Sequence, residues 1–326
     1  MKRRVFHVLC GGTALPAAVP LAWAQAPLPA PMPGRPWRIG VLTAPQFEAI
    51  FERGLRELGY VIGKTVLIES RTPRPDELAA QAAELVNWKP DVLLAATSVR
   101  AVAAFKATRT IPIVMVNVSD PVALGLVASL GRPGGNVTGL SRQTFDIIGK
   151  TLQLLIELAP RTTRVGLLWN SAEPAGALQL QIAQRHADTL GLKLVPADAH
   201  GPDDIDAAFA SLARQRVEVL LVNPTADLFF HRQRIAELAL QRGWPSMYSN
   251  VEFVQAGGLI SYGPDGKEPY LRAAAFVDKI FKGAKPADLP VEQPTKFVLT
   301  INAATARELG LAIPQSLLLR ADEVIR

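Results

Sequence analysis

The sequence predicts an α/β fold built as two doubly wound parallel-sheet lobes, on three observations. From Trp37 onward, short apolar runs alternate with amphipathic helical stretches. The same alternation restarts in the second half of the chain. The 326 residues correspond to about two domains at roughly 150 residues each. Strands that read as continuous apolar runs are buried on both faces. That requires a parallel sheet covered by helices on either side.

Each element follows from its local pattern. Residues 38–43 form a buried strand, 47–58 a helix closed by Gly59, and 65–70 a second strand. Asp76 opens a helix that runs to Asn87. A third strand spans 91–96, a helix 99–107, a fourth strand 112–117 and a short helix 121–130; residues 136–140 close the first half. The second half opens with a helix at 147–158. It continues with a strand at 164–169, a helix at 176–190, a strand at 192–197, a helix at 203–214, a strand at 217–222 and a helix at 229–242. Strands at 245–248 and 259–262, a helix at 269–282, a strand at 297–301 and a helix at 303–309 complete the reading.

Composition excludes several classes. A chain 49% hydrophobic and 20% charged is not broadly disordered. A single cysteine, Cys10, rules out an internal disulfide framework and a multi-cysteine zinc site. The four histidines, at 7, 186, 200 and 231, are too scattered for a histidine-rich metal site. The net charge of +6 falls to +3 without residues 1–24. The remaining basic residues are interleaved with acids, as in Glu52-Arg53 and Arg56-Glu57, and form no stripe that would track phosphates. Nucleic acid is therefore not an expected partner.

Residues 1–24 read as an export signal peptide. Lys2-Arg3-Arg4 precedes an apolar stretch from Val8 to Trp23, and Ala22-Trp23-Ala24 fits a cleavage site before Gln25. Gly11, Gly12, Pro16 and Pro20 make that stretch a poor membrane-spanning helix. Arg3-Arg4-Val5-Phe6 resembles a twin-arginine motif, with Lys2 where Ser or Thr is usual; the general route remains open. Residues 25–36 are a Pro-rich leader. The expected location is the periplasm.

In doubly wound sheets, ligands sit outside the carboxyl ends of the strands. That rule selects Thr43, Ala44, Thr97, Ser98, Ser119, Asp120, Asn170, Asn223 and Asn250. Asn117 ends the fourth strand, and Thr138 lies in the stretch closing the first half; both join the set. Hydroxyl and amide side chains suit neutral or zwitterionic small molecules, although each of these residues also reads as a helix cap. Asp227 and Glu252 follow second-lobe strands, where a carboxylate can hold a ligand amine or simply face solvent. Trp169, Tyr248 and Tyr262 lie near strand ends, where a ring either stacks on a flat ligand or packs in the core.

No catalytic constellation is present. The chain lacks a Gly-x-Ser-x-Gly elbow, a His-Glu-x-x-His pair and a phosphate-binding Gly-x-x-x-x-Gly-Lys-Ser/Thr loop. The glycine-rich run 131–136 precedes a strand and reads as a turn; His186 and His231 read as surface residues, and Asp203-Asp204 as the start of a helix. No enzyme activity, metal or cofactor is expected.

Four longer stretches are specific. They are Ser119-Asp-Pro-Val-Ala-Leu-Gly-Leu-Val-Ala-Ser-Leu-Gly-Arg-Pro-Gly-Gly-Asn-Val-Thr-Gly-Leu140, Gly257-Gly-Leu-Ile-Ser-Tyr-Gly263, Leu289-Pro-Val-Glu-Gln-Pro-Thr-Lys-Phe297 and Ile313-Pro-Gln-Ser-Leu-Leu-Leu-Arg-Ala-Asp-Glu-Val-Ile325. In this order the chain resembles the ABC-transporter substrate-binding protein family that includes the tryptophan-binding TrpX-like proteins. The resemblance runs from about Trp37 to Ile325. It implies a type I periplasmic-binding fold, with two lobes joined by three hinge crossings. Lobe I would be 37–140 plus 259–292, and lobe II 141–258 plus 293–326. It also implies capture of a small molecule in a cleft that closes on binding; Trp169, Tyr248 and Tyr262 near strand ends, with hydroxyl and amide neighbours, point to an aromatic or amphipathic amino acid or carboxylate. An ABC permease and its ATPase would be the membrane partners, and a monomer is expected. A ligand sensor for a receptor and an exported α/β enzyme are the alternative readings.

Overall fold

The computed structural model describes residues 35–326 apart from 75, 143 and 224, and the side chains of 144–146 are not described. The expected signal peptide and nearly all of the leader lie outside the described residues. Two sheets organise the chain. The first contains β1 (Trp37–Leu42), β2 (Val66–Arg71), β3 (Val92–Ala96), β4 (Ile113–Val118) and β5 (Val137–Ser141). Its order is β2-β1-β3-β4-β5, and every pair is parallel. β3 and β5 are buried along their whole length, as apolar strands covered on both faces must be.

The covering helices supply two cores. On one face, α1 (Pro45–Glu57) and α10 (Glu268–Phe281) bury Phe51, Leu55, Ala273, Phe276 and Val277 against Ile39, Val41 and Leu94. On the other, α2 (Leu78–Asn87) and α3 (Ser98–Ala107) bury Ala82, Leu85, Ala101 and Ala104 against Leu42, Leu93 and Ile113. α10 comes from far along the sequence, so the first lobe is completed only by a late return of the chain.

The second sheet has the order β12-β11-β10-β9-β8-β6-β7. Its strands are β6 (Arg164–Trp169), β7 (Lys193–Asp198), β8 (Val219–Val222), β9 (Ser246–Tyr248), β10 (Ile260–Pro264), β11 (Phe297–Asn302) and β12 (Glu323–Ile325). Only β10 and β11 pair antiparallel. α4 (Thr144–Leu158), α5 (Gly176–Thr189), α11 (Ala303–Glu308) and α12 (Gln315–Arg320) cover one face. α6 (Pro202–Arg214), α7 (Ala226–Phe230), α8 (Arg232–Gln241) and α9 (Val251–Gln255) cover the other.

Most expected elements are found within a residue or two, and the exceptions have local causes. The segment 121–130, expected as a helix, is a series of turns. Asp120 Oδ1 accepts the amides of Val122 and Ala123, both Leu126 and Val127 donate to the Pro121 carbonyl, and Gly125 takes φ +67°. The expected helix 229–242 starts earlier and divides at His231 into α7 and α8. The strand β10, expected to begin the return to the first lobe, pairs with β9 and β11 in the second sheet. The return therefore starts between β10 and α10. Residues 291–292 then lie along β5, where Glu292 accepts the Ser141 amide and donates its own to the Gly139 carbonyl.

Candidate functional site

A cleft between the lobes is lined by Thr43, Ala44, Gln46, Phe47, Ala96, Thr97, Ser98, Arg100, Asn117, Ser119 and Tyr270 from the first lobe. Glu173, Thr225, Ala226, Phe229, Phe230 and Asn250 face them from the second, with Arg142 at the crossing between. It holds about 690 Å³ of space, mouth included.

The parallel sheet explains the placement. Strands β1, β3 and β4 end side by side, so the residues after each strand form one rim. Two of these residues are strained. Thr97 takes φ +75° and Asn117 φ +57°, conformations uncommon for side-chain-bearing residues and found disproportionately at functional sites. The β4 to β5 register shifts between Met115 and Val118, so Asn117 sits at an irregularity that turns it from the ladder. Thr97 is the N-cap of α3 but makes no side-chain capping bond, which leaves the first-turn amides of that helix free of a side-chain cap.

Charge is concentrated in the cleft. Arg100 is 7% exposed, and its Nη1 lies 3.5 Å from Thr97 Oγ1. Arg142 donates from Nη2 to Asn250 Oδ1 at 2.7 Å. The Nε atoms of both arginines are buried with no hydrogen-bond partner among the described residues. Burial pulls both guanidinium groups below their ordinary pKa; Tyr270 and Asp227 oppose this at Arg100, and Tyr270, Glu252 and Glu173 at Arg142. Burial pushes the Glu173 carboxyl up. The Ser98 hydroxyl and Arg142 counter it, while Asp227 adds to it. Asn170 fixes Asp227 by donating from Nδ2 to Oδ2 at 2.8 Å, and Asn170 Oδ1 accepts the Ala172 amide. Cations thus stand on the first lobe and the crossing, and carboxylates on the second.

Aromatic rings close one end. Phe47 stacks on Tyr270 at 4.6 Å between centroids and meets Phe229 across the cleft at 6.0 Å. Phe229 contacts Phe253 edge-on, and Phe230 is 53% exposed at the mouth. Burial holds the Tyr270 phenol above its ordinary pKa, and its hydroxyl faces Asn117 and Thr43.

Of the residues that the sequence singled out, Thr43, Ala44, Thr97, Ser98, Asn117, Ser119 and Asn250 line this cleft. Asn170 and Asp227 stand behind its wall as a bonded pair near Arg100, Asn223 through Gln179, and Glu252 near Arg142. Five others are placed elsewhere. Asp120 caps its own turn. Thr138 is fully buried and donates to the Leu289 carbonyl, tying β5 to the returning chain. Trp169 packs against the second-lobe core formed with α4 and α5. Tyr262 joins the same core and stacks on Phe297 at 5.7 Å. Tyr248 is also core, stacked on Phe253. The strand-end rule did not reach Arg100, Tyr270, Phe47 or Phe229, which project from helices, or Glu173 and Arg142, which lie on connections.

A polar and aromatic cleft thus lies where residues of the two sheets face each other. The model of the family described as ABC transporter substrate binding protein matches residues 47–325, and the chain belongs to that family. It is 30% identical over 264 residues to a tyrosine-binding protein of Clostridioides difficile (strain R20291), covering 80% of this chain and 75% of that one. It superposes on an ABC domain from Streptococcus pneumonia in complex with L-Trp with a TM-score of 0.82 at 26% identity, over 89% of this chain and 100% of the other. A ligand-free, open substrate-binding protein with adhesive properties from Clostridium difficile gives a TM-score of 0.65 at 25% identity, over 89% and 99% of the two chains.

Proposed function

We propose that the protein is the exported solute-binding component of an ABC importer, and that it captures an α-amino acid with an aromatic side chain in the interlobe cleft. The observation that carries this reading is the division of charge. Arg100 and Arg142 share the cleft with Glu173, with the Asn170-held Asp227 behind its wall and Phe47, Phe229 and Phe230 alongside. A zwitterion satisfies both sets: its carboxylate meets the guanidinium groups and the uncapped amides of α3, and its ammonium meets the acids. Its ring has Phe47 and Phe229 to lie against. The relatives that bind tyrosine and L-Trp support the ligand class. The better superposition on the L-Trp complex than on an open protein supports a closed arrangement of the lobes here.

The test is calorimetric titration of unfolded and refolded protein. L-tryptophan or L-tyrosine should bind, while indole-3-propionate and tyramine, each lacking one charged end, should bind at least tenfold more weakly. Arg100→Met should weaken the amino acid by about ten- to a hundredfold, the range expected for a hydrogen bond to a charged group. Equal affinity for the amino acid and its deaminated analogue would remove the acids from the site. Binding of a sugar or nucleoside alone would overturn the ligand class.

A further inference from the structure

A row of buried neutral side chains crosses between the lobes, starting in the cleft wall and running behind it. Asn223, after β8, donates from Nδ2 to Gln179 Oε1 at 3.2 Å. Gln179, in the first turn of α5, donates from Nε2 to Ser119 Oγ of the first lobe at 3.2 Å. Ser119 lies against Ser98: its amide donates to Ser98 Oγ at 3.2 Å, and the two hydroxyls are 3.4 Å apart. Gln179 is 0% exposed, Asn223 3%, Ser98 2% and Ser119 8%. Gln179 does not line the cleft. A glutamine buried at this depth is tolerated only when both ends of its amide are bonded, because an unmade buried hydrogen bond carries the full desolvation cost. Its oxygen is satisfied within its own lobe and its nitrogen only by the opposite lobe. Opening the lobes breaks that second bond and leaves the amide to water.

We propose that Gln179 is a closure latch: a positioning residue, held by Asn223, that stabilises the closed lobes through Ser119 and raises ligand affinity without touching the ligand. The proposal rests on the hinge-closing part of the proposed function but not on the identity of the ligand. Two positions follow strands β3 and β4, and their hydroxyls serve both cleft and latch. Ser98 also faces Glu173, so the ligand site and the latch share one wall. Closure measured at the latch is therefore coupled to occupancy of the cleft.

The experiment measures the interlobe distance distribution by paired spin labels on the full chain carrying Cys10→Ser, Val122→Cys and Asp203→Cys; both label positions are exposed, one on each lobe near the cleft side. Distances are recorded ligand-free and with L-tryptophan or L-tyrosine added, for wild type, Gln179→Met, Ser119→Ala and the double variant. Gln179→Met should move the closed-to-open ratio about fivefold toward open, the effect of one neutral hydrogen bond. Ser119→Ala should do the same, and the double variant should be no more open than either single one, since all remove one bond. For Gln179→Met, which lies outside the cleft lining, ligand affinity should fall in proportion while the melting temperature of the ligand-free protein stays within a few degrees. A Gln179→Met ratio equal to wild type, or a double variant showing the sum of two independent effects, overturns the latch. A wild type that keeps one distance in every condition overturns hinge closing and the latch together. Failure of both amino acids to bind, with the ligand-free ratios still shifting, overturns the ligand class and leaves the latch standing.

Discussion

Glu173 shows how one side chain couples occupancy to protons. In the cleft, burial raises its pKa above the ordinary glutamate value, so the neutral form is favoured more than in a free glutamate. For an acid shifted upward, the contribution to the folded, closed protein is full below the ordinary value and is lost as pH rises through the raised one. A ligand ammonium beside Glu173 favours the carboxylate instead. Amino-acid binding should therefore release protons in the weakly acid range just above the ordinary carboxylate value. Titration calorimetry in buffers of different ionisation enthalpy reads that release, and Glu173→Gln should remove it. A proton count of zero in the wild type across that range would place the ammonium elsewhere. Only part of this level was legible in the sequence. Hydroxyls and amides after strands were legible because a parallel sheet puts its strand ends on one rim. The charges were not, because Arg100 lies on a helix and Arg142 and Glu173 on connections, and nothing in their immediate sequence tells a cleft charge from a solvated one. Trp169 and Tyr262 sit at strand ends, but their rings point into the layer between sheet and helices, where apolar burial outweighs exposure to a cleft.

At the level of elements, glycine sets the geometry of the joint between β4, β5 and the returning chain. Gly139 takes φ +127° within β5, and a Cβ there would lie 2.2 Å from the Met115 carbonyl oxygen and 2.7 Å from its amide nitrogen. Backbone cannot yield as a flexible side chain does. Gly139→Ala should therefore destabilise the protein by more than about 2 kcal/mol, combining strain with overpacking. Gly191 is the control: it has φ +69° after α5, but its Cβ would meet open space. Gly191→Ala should cost only about 1 kcal/mol for the left-handed backbone. Urea unfolding of the two variants checks the contrast, and equal midpoints would show that the close approach at Gly139 relaxes. Helices and strands were largely legible because each carries its own period of apolar residues. The turns at 121–130 were not, because Asp120 draws two backbone amides into a local turn that competes with a helix the composition permits. The assignment of β10 to the second sheet was equally hidden, since an apolar run declares a strand but not its neighbours.

For the whole molecule, the decisive feature is that each lobe has its own cores on both faces of its own sheet, while the lobes meet through few groups. The first lobe closes only when α10 returns, and the second is complete from α4 to β12 apart from that excursion. Across the cleft stand Phe47 against Phe229, Gln179 on Ser119 and the charges around Glu173. Cores of this size unfold cooperatively within a lobe, but so thin a junction transmits little of that cooperativity. Differential scanning calorimetry of refolded, ligand-free protein should therefore give two overlapping transitions. A ligand bridging both lobes binds neither lobe alone, so it stabilises only the state in which both are folded. At a hundredfold its dissociation constant it adds about 2.7 kcal/mol, which should merge the transitions into one at higher temperature. If ligand instead raised a single transition and left the other in place, the site would belong to one lobe, and the division of charge across the cleft would have no part in binding.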